Sequence, residues 1–334
     1  MYNLMKKLIK SPSVSGREQP VGDIIKNEIS QYVDNIYYDN LGNLIAYKKG
    51  TAENAQKLML AAHMDEIGFI VTHIEDNGFI RVAQLGGINW GAVAYGNILF
   101  ENSIKGILVP EANVGANEWK SDKVVIDIGA LNKKDAESKI KIGDTAVYEP
   151  RLDRLMHRRV SGHPLDDKIG CAIMIKALIS AENIANNTYF VFTVQEEVGL
   201  RGSKTSAFGI MPDWAVALDV TGTGDTQGAK PMAVKLGGGA AIKIKDASVI
   251  CDNAAVELLK KLAKNNNIKH QMEILESGGT DTSSMQLSGS GALACCISIP
   301  TRYIHSGVET IDLNDTDACV ALTSALLNYN LNNA

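Results

Sequence analysis

KIGCAIMIKALISAEN (168–183), NTYFVFTVQ (187–195) and DWAVALDV (213–220) decide the fold. The first run is long and apolar and reads as a helix, whereas the two shorter apolar runs read as strands. The alternation continues toward the C-terminus. AAVELLKKLAKNN (254–266) has the spacing of an amphipathic helix, GALACCISIP (291–300) that of a strand, and NDTDACVALTSALLNYN (314–330) that of a closing helix. Strands alternating with helices predict an α/β sheet covered on both faces.

Toward the N-terminus the same character holds. Residues 1–33 read as helical around a break at Ser11–Gly16. DNLGNLIAYKK (39–49) turns at Asn40–Gly42 into a strand, and QKLMLAAHMD (56–65) is a second apolar run ending in charge. From about 68 to 160 the chain changes. GFIVTHIEDNGFIRVAQLGG (68–87), ILFENSIKGILVP (98–110), KVVIDIGA (123–130) and IKIGDTAVYEP (140–150) are short strand-like pieces broken by glycines. One helical piece, near Lys133–Lys139, interrupts them. Such a pattern predicts a small β-barrel or sandwich. The expected organisation is an α/β domain of residues 1–67 and 161–334, with a β-rich domain of residues 68–160 inserted.

A chain of 334 residues exceeds the size at which single cores usually stop growing, about 250–300 residues, which favours two domains. Hydrophobic residues make up 45% and charged residues 21%, an ordinary globular balance. With a formal net charge of −5 no basic surface invites nucleic acid or acidic lipid. The five cysteines include no C-x-x-C pair, and Cys295 and Cys296 sit side by side in an apolar run, so a reduced compartment is expected. MYNLMKKLIKSPS (1–13) lacks the apolar core of a signal peptide, and no run of about 18 apolar residues offers a membrane span. A soluble cytoplasmic protein is the expectation.

Five strand-like runs end in, or are followed by, histidine or carboxylate: LAAHMDE (60–66), HPLDDK (163–168), VQEEVG (194–199), ALDVT (217–221) and YIHS (303–306). In open α/β sheets ligands bind outside the carboxyl ends of the strands, so residues distant in sequence can meet on one rim. Two histidines with several carboxylates form a mixed nitrogen and oxygen set suited to zinc, cobalt or manganese. Each stretch alone has an ordinary explanation: a hydrogen-bonded histidine, a solvated acid pair, an aspartate capping a turn. The set is harder to explain as scattered surface charge, because buried carboxylates without cations are costly.

HMDEIGF (63–69), LDDKIG (165–170), VQEEVGLRG (194–202), ALDVT (217–221) and RYIHSGVE (302–309) together resemble the tetrahedral (TET) dinuclear-metal aminopeptidases. That group includes glutamyl aminopeptidases and proteins formerly labelled endoglucanases. The resemblance runs from SPSVSGRE (11–18) to the last helix. It implies a zinc-exopeptidase-like mixed sheet flanked by helices, an inserted PDZ-like dimerisation domain, and a homo-dodecamer whose active sites face an internal chamber. It further implies two divalent ions, zinc or cobalt with manganese as the alternative. Asp166 would bridge them, Glu197 and His305 would complete one, and His63 and Asp219 the other. Glu196 would be the general base and Asp65 the acid that orients His63. The Asp166–Asp167 bond would be cis, and Gly278, Thr280 and Asp281 in SGGTDTSS (277–284) would border the substrate.

The spacing is consistent with these roles. Neighbours on an extended segment face opposite sides, so Glu196 and Glu197 can divide their tasks, while His63 and Asp65 share a side. An acid there can accept from the second ring nitrogen of a ligand histidine. His163 and Lys168, flanking the LDD segment, and Gly307 after His305 depart from the family pattern without touching the ligands. His73, His157 and His270 have no ligand context and read as surface residues. KLGGGAAI (235–242) and TGTGDTQG (221–228) fit neither common phosphate-loop pattern.

The activity implied is removal of single residues from the N-terminus of short peptides. Two alternatives stand beside it: another metal-dependent amide hydrolase, such as a deacetylase or carboxypeptidase, and a non-catalytic metal-binding paralogue. The inserted β domain and HMDEIG weigh against the first, and Glu196 against the second. A glycosidase would leave both histidines unexplained.

Overall fold

The computed structural model describes residues 1–334, the side chain of Val93 excepted. β1 (Asn35–Tyr38), β2 (Leu44–Lys48) and β3 (Lys57–His63) begin a large mixed sheet. β4 (Gly68–Ile74), β5 (Ile80–Leu85), β6 (Asn97–Phe100), β7 (Lys105–Pro110), β8 (Val124–Asp127) and β9 (Thr145–Tyr148) then leave it. The large sheet resumes with β10 (Arg151–Arg154), β11 (Arg159–His163), β12 (Asn187–Thr193) and β13 (Trp214–Thr221). It is completed by β14 (Ala240–Lys245), β15 (His270–Ile274), β16 (Leu293–Arg302) and β17 (Glu309–Asp312).

The main path of the large sheet runs β1-β2-β12-β3-β13-β16-β17-β11-β10, with β14 pairing β15 and β16. Its centre, β12-β3-β13-β16, is parallel. Side chains of β3 alternate between two cores. Leu58, Leu60 and Ala62 face one that includes the helix Lys168–Ser180, and Met59 and Ala61 face a smaller one with Val191, Ala217 and Cys296. Burial on both faces is why these strands read as continuous apolar runs. All five cysteines are buried and free.

β4–β9 close into a six-stranded antiparallel barrel in the order β4-β5-β8-β7-β6-β9. It has its own core of Phe69, Ile80, Ile98, Phe100, Leu108, Ile126 and Tyr148. The expected helical piece is found at Lys133–Glu137, where Asn132 accepts from the Asp135 N–H as its cap. The chain returns to the large sheet at Arg151, ahead of the position expected from sequence, because β10 pairs with β11 and β11 with β17. β10 is a charged, exposed edge strand, and RLDR carries no apolar alternation to announce it. No helix among the described residues is long and apolar enough to cross a membrane.

Beneath the rim, β13, β14 and β15 are tied by a fully buried ion pair. The Lys243 ammonium lies 2.6 Å from Glu273 Oε1, which also accepts from the Thr221 hydroxyl at 2.8 Å. Removing one partner strands a buried charge. Lys243→Met should therefore lower unfolding stability in urea by about 3–5 kcal/mol. Adding Glu273→Gln to Lys243→Met should recover part of that loss, and no recovery would contradict the assignment.

Candidate metal centre

The parallel strands deliver the predicted residues to one place. His63 is the last residue of β3 and pairs in register with Thr193 of β12. Glu196 and Glu197 lie three and four residues after that strand ends. Asp219 on β13 lies two residues beyond the Ala61–Ala217 pair, level with His63. His305 follows the end of β16. Asp166 sits between β11 and the helix Lys168–Ser180, and its bond to Asp167 is cis. The Asp167 carboxyl caps that helix through the Gly170 N–H.

Asp166 stands at the middle of the cluster. Its Oδ1 is 3.0 Å from His63 Nε2, and its Oδ2 is 3.4 Å from His305 Nε2. His63 Nε2 is also 3.9 Å from Asp219 Oδ1, and His305 Nε2 is 3.4 Å from Glu197 Oε2. The two oxygens of one carboxylate thus face two separate nitrogen–oxygen pairs. Tetrahedral zinc with ligands at about 2.0–2.1 Å places its ligand atoms about 3.3–3.4 Å apart, so these spacings fit a metal. Donor atoms of His63, Asp166 and Glu197, and of His63, Asp167 and Asp219, lie within 4.8 Å of one another.

The electrostatics point the same way. Burial raises Asp219, reinforced by the neighbouring Asp166 and Asp281 and opposed by His63 and Lys243, and the net effect holds its carboxyl well above the usual range. Burial likewise raises Glu196, reinforced by Asp219, Asp281 and Glu197 and opposed by His63. Asp166 is held low instead, because hydrogen bonds from His305 and His63 outweigh its burial. For His305, burial is outweighed by Asp166 and Glu197, and its pKa is pushed up to about 11. Mutually repelling buried carboxylates drawing on two imidazoles form a set that a divalent cation would neutralise.

Around this set the backbone is pinned by buried acids. Asp65 accepts from the Glu196 N–H at 2.9 Å, from the Glu197 N–H at 3.2 Å and from the Ser15 hydroxyl at 2.6 Å. Its relation to His63 differs from expectation: His63 Nδ1 is 3.1 Å from the Asp65 backbone carbonyl, and the nearest carboxylate oxygen is at 3.6 Å. Asp65 therefore orients the Glu196–Glu197 turn directly, and its backbone holds the ring. Glu18 adds a bond from the Gln195 N–H at 3.0 Å.

Glu309 was not legible as a functional residue, although it stands four positions after His305. Its Oε2 accepts from the backbone N–H groups of Leu165 at 2.6 Å and Asp166 at 3.1 Å, and its Oε1 from that of His305 at 3.1 Å. One buried carboxylate thus fixes the Leu165–Asp166 and His305 segments. The departures His163 and Lys168 belong to the same support. His163 Nε2 lies 3.3 Å from Glu66, and Lys168 is buried against Ser13, the Met64 carbonyl and Glu66. Of the expected substrate-side residues, Gly278 lines the cavity at the cluster. Thr280 and Asp281 are buried behind it. Thr280 bonds Thr282, and Asp281 accepts from Thr193 at 2.6 Å and from Ser203.

Residues 42–322 match the M42 glutamyl aminopeptidase family. The chain belongs to the M42 aminopeptidases. It is 45% identical to a putative aminopeptidase of Acetivibrio thermocellus, over 96% of this chain and 97% of that one. A solved aminopeptidase from the archaeon Desulfurococcus kamchatkensis superimposes with a TM-score of 0.94 at 37% identity, covering 98% of this chain and 94% of the other. Pyrococcus horikoshii TET1 peptidase, described as assembling into a tetrahedron or a large octahedral shell, matches with a TM-score of 0.85 at 32% identity, covering 98% of each chain. M42 peptidases are metal-dependent hydrolases of peptide bonds, and this M42 chain carries a cluster that can hold metal.

Because Glu309 holds the Asp166 and His305 segments, Glu309→Ala should weaken zinc binding about 10–100-fold, the usual effect of losing a partner that orients ligands. Calorimetric titration of folded protein checks this, and unchanged affinity would contradict it.

Proposed function

We propose that this M42 peptidase removes single residues from the N-terminus of short peptides, with two divalent ions held by His63, Asp166, Glu197, Asp219 and His305. The observation that carries the proposal is the Asp166 carboxylate, whose two oxygens face the His63–Asp219 and His305–Glu197 pairs separately. Zinc and cobalt suit this mixed donor set best, and manganese is compatible. Ions bound there would polarise the scissile carbonyl and lower the pKa of water.

The protein's own side chains then manage substrate and protons. Glu196 lines the cavity while its neighbour Glu197 turns to His305, a division that leaves Glu196 free to act as general base. It would take the proton from the attacking water and hand it to the departing amine. A carboxyl whose pKa is raised by burial is well suited to holding that proton between the two transfers. Asp65 serves as a positioning residue, through the backbone of the Glu196–Glu197 turn.

This proposal takes residues 1–67 and 161–334 as the catalytic unit, extended back to Arg151 because β10 and β11 belong to the large sheet, and the barrel that ends at Tyr148 serves self-association into a dodecamer with cytoplasmic short peptides as substrates. Exposed apolar side chains on the barrel segment, Tyr95, Leu131 and Ile142, support a buried interface there, as does the assembly described for the Pyrococcus horikoshii relative.

Glu196→Gln should lower kcat on an unblocked tripeptide by about 10²–10⁴-fold while leaving bound metal unchanged. Removing metal should abolish activity of the wild type, and restoring zinc, cobalt or manganese should return it. Undiminished activity of the variant would contradict the role of Glu196. Light scattering should give the mass of twelve chains for metal-loaded protein, and a monomer would overturn the assembly.

A further inference from the structure

The cavity that opens on the metal cluster has a volume of about 430 Å³. Apart from the five ligands and Glu196, its walls are four aliphatic side chains, Leu200, Val220, Leu275 and Ile304, together with glycines. Among the described residues, no lysine, arginine or further carboxylate lines it. Charged residues that adjoin the wall in sequence lie outside it: Arg201, next to Leu200, is exposed and donates to Gln195 Oε1 at 3.3 Å. Arg302, two residues before Ile304, is paired with Asp225 at 2.8 Å. Glu276, next to Leu275, is exposed and outside the lining.

A side chain seated against this wall loses part of its water. An ammonium or a carboxylate there would lose hydration without meeting an opposite charge, and burying a charge unpaired is costly. Two divalent ions would balance the four carboxylates that line the cavity, Asp166, Glu197, Asp219 and Glu196, so the lining itself leaves no charge to pair with a side chain. An aliphatic chain loses nothing by the same move, and each methylene placed in such a pocket is typically worth about 10–200-fold in selectivity. Three of the wall residues are tied to the catalytic set by sequence as well as space: Val220 follows Asp219, Ile304 precedes His305, and Leu200 closes the turn that carries Glu196 and Glu197. The apolar wall is thus fixed relative to the reacting centre by the strands that carry the ligands.

We infer that this site selects peptides whose N-terminal side chain is uncharged and aliphatic, with the wall formed by Leu200, Val220, Leu275 and Ile304 setting the specificity. The inference rests on the aminopeptidase proposal above and narrows its substrate class: acidic and basic N-terminal residues are disfavoured alike.

The test compares kcat/KM of the metal-loaded enzyme on tripeptides that differ only in an N-terminal Leu, Lys or Glu. It is joined by calorimetric binding of free leucine, lysine and glutamate to metal-loaded Glu196→Gln. Leucyl peptide should exceed both others at least tenfold, and leucine should bind most tightly. Leu275→Glu should raise the Lys-to-Leu ratio of kcat/KM at least tenfold, and Ile304→Glu should do the same if the first variant fails to fold. Cleavage of lysyl or glutamyl peptide as fast as leucyl overturns the specificity while leaving the aminopeptidase standing. Cleavage of none, with metal bound, overturns the aminopeptidase proposal. In that case leucine binding ahead of lysine and glutamate still supports the apolar site, and equal or absent binding overturns it.

Discussion

The rest of the structure depends on holding several buried carboxylates and two imidazoles within about 3–4 Å of one another. Such a cluster repels itself, and no flexible surface could keep it in place. The chain solves the problem with backbone. β3, β12, β13 and β16 run parallel at the centre of the sheet, so their carboxyl ends deliver His63, the Glu196–Glu197 turn, Asp219 and His305 to one rim. The Asp65 and Glu309 carboxylates, fully or almost fully buried, then fasten the connecting segments by accepting from peptide N–H groups. The acids that touch the cluster are oriented by acids that do not, and an ion is the natural counterpart of the set they create.

This arrangement separates charge from shape. Polar groups of the cavity are confined to His63, Asp166, Glu196, Glu197, Asp219 and His305, whereas the remaining wall is aliphatic or glycine. The same strands supply both, which is why Val220 and Ile304 adjoin ligands in sequence. The barrel also reaches the centre: a Cβ at Gly87 would stand 3.2 Å from the His305 ring, and one at Gly86 3.2 Å from the Glu197 carboxylate. Only glycine lets that loop approach so closely, so the segment between β5 and β6 helps to bound the metal cluster.

Much of the fold and the cluster itself could be read from sequence, and what escaped did so for physical reasons. Central strands announce themselves because both faces are buried, and ligands at their ends stand out as histidine or acid after an apolar run. β10 gave no such signal, since an exposed edge strand such as RLDR needs no apolar alternation. Glu309 escaped because its partners are peptide N–H groups distant in sequence, which no side-chain pattern can report. The spacing of His63 and Asp65 suggested a side-chain contact, but the ring nitrogen found the nearer carbonyl of the same residue, and the carboxylate went to the turn after β12. The apolar wall was invisible for a different reason: an isolated leucine in a loop looks the same whether it faces a core or a substrate.

In the proposed site Asp166 joins two metal ions. Anomalous diffraction at the zinc edge, from crystals of zinc-loaded protein, tests it most directly. Two peaks about 3.5–4 Å apart are expected, one beside Asp166 Oδ1 with His63 and Asp219, the other beside Oδ2 with His305 and Glu197. A single peak, or two peaks that do not share Asp166, would contradict it.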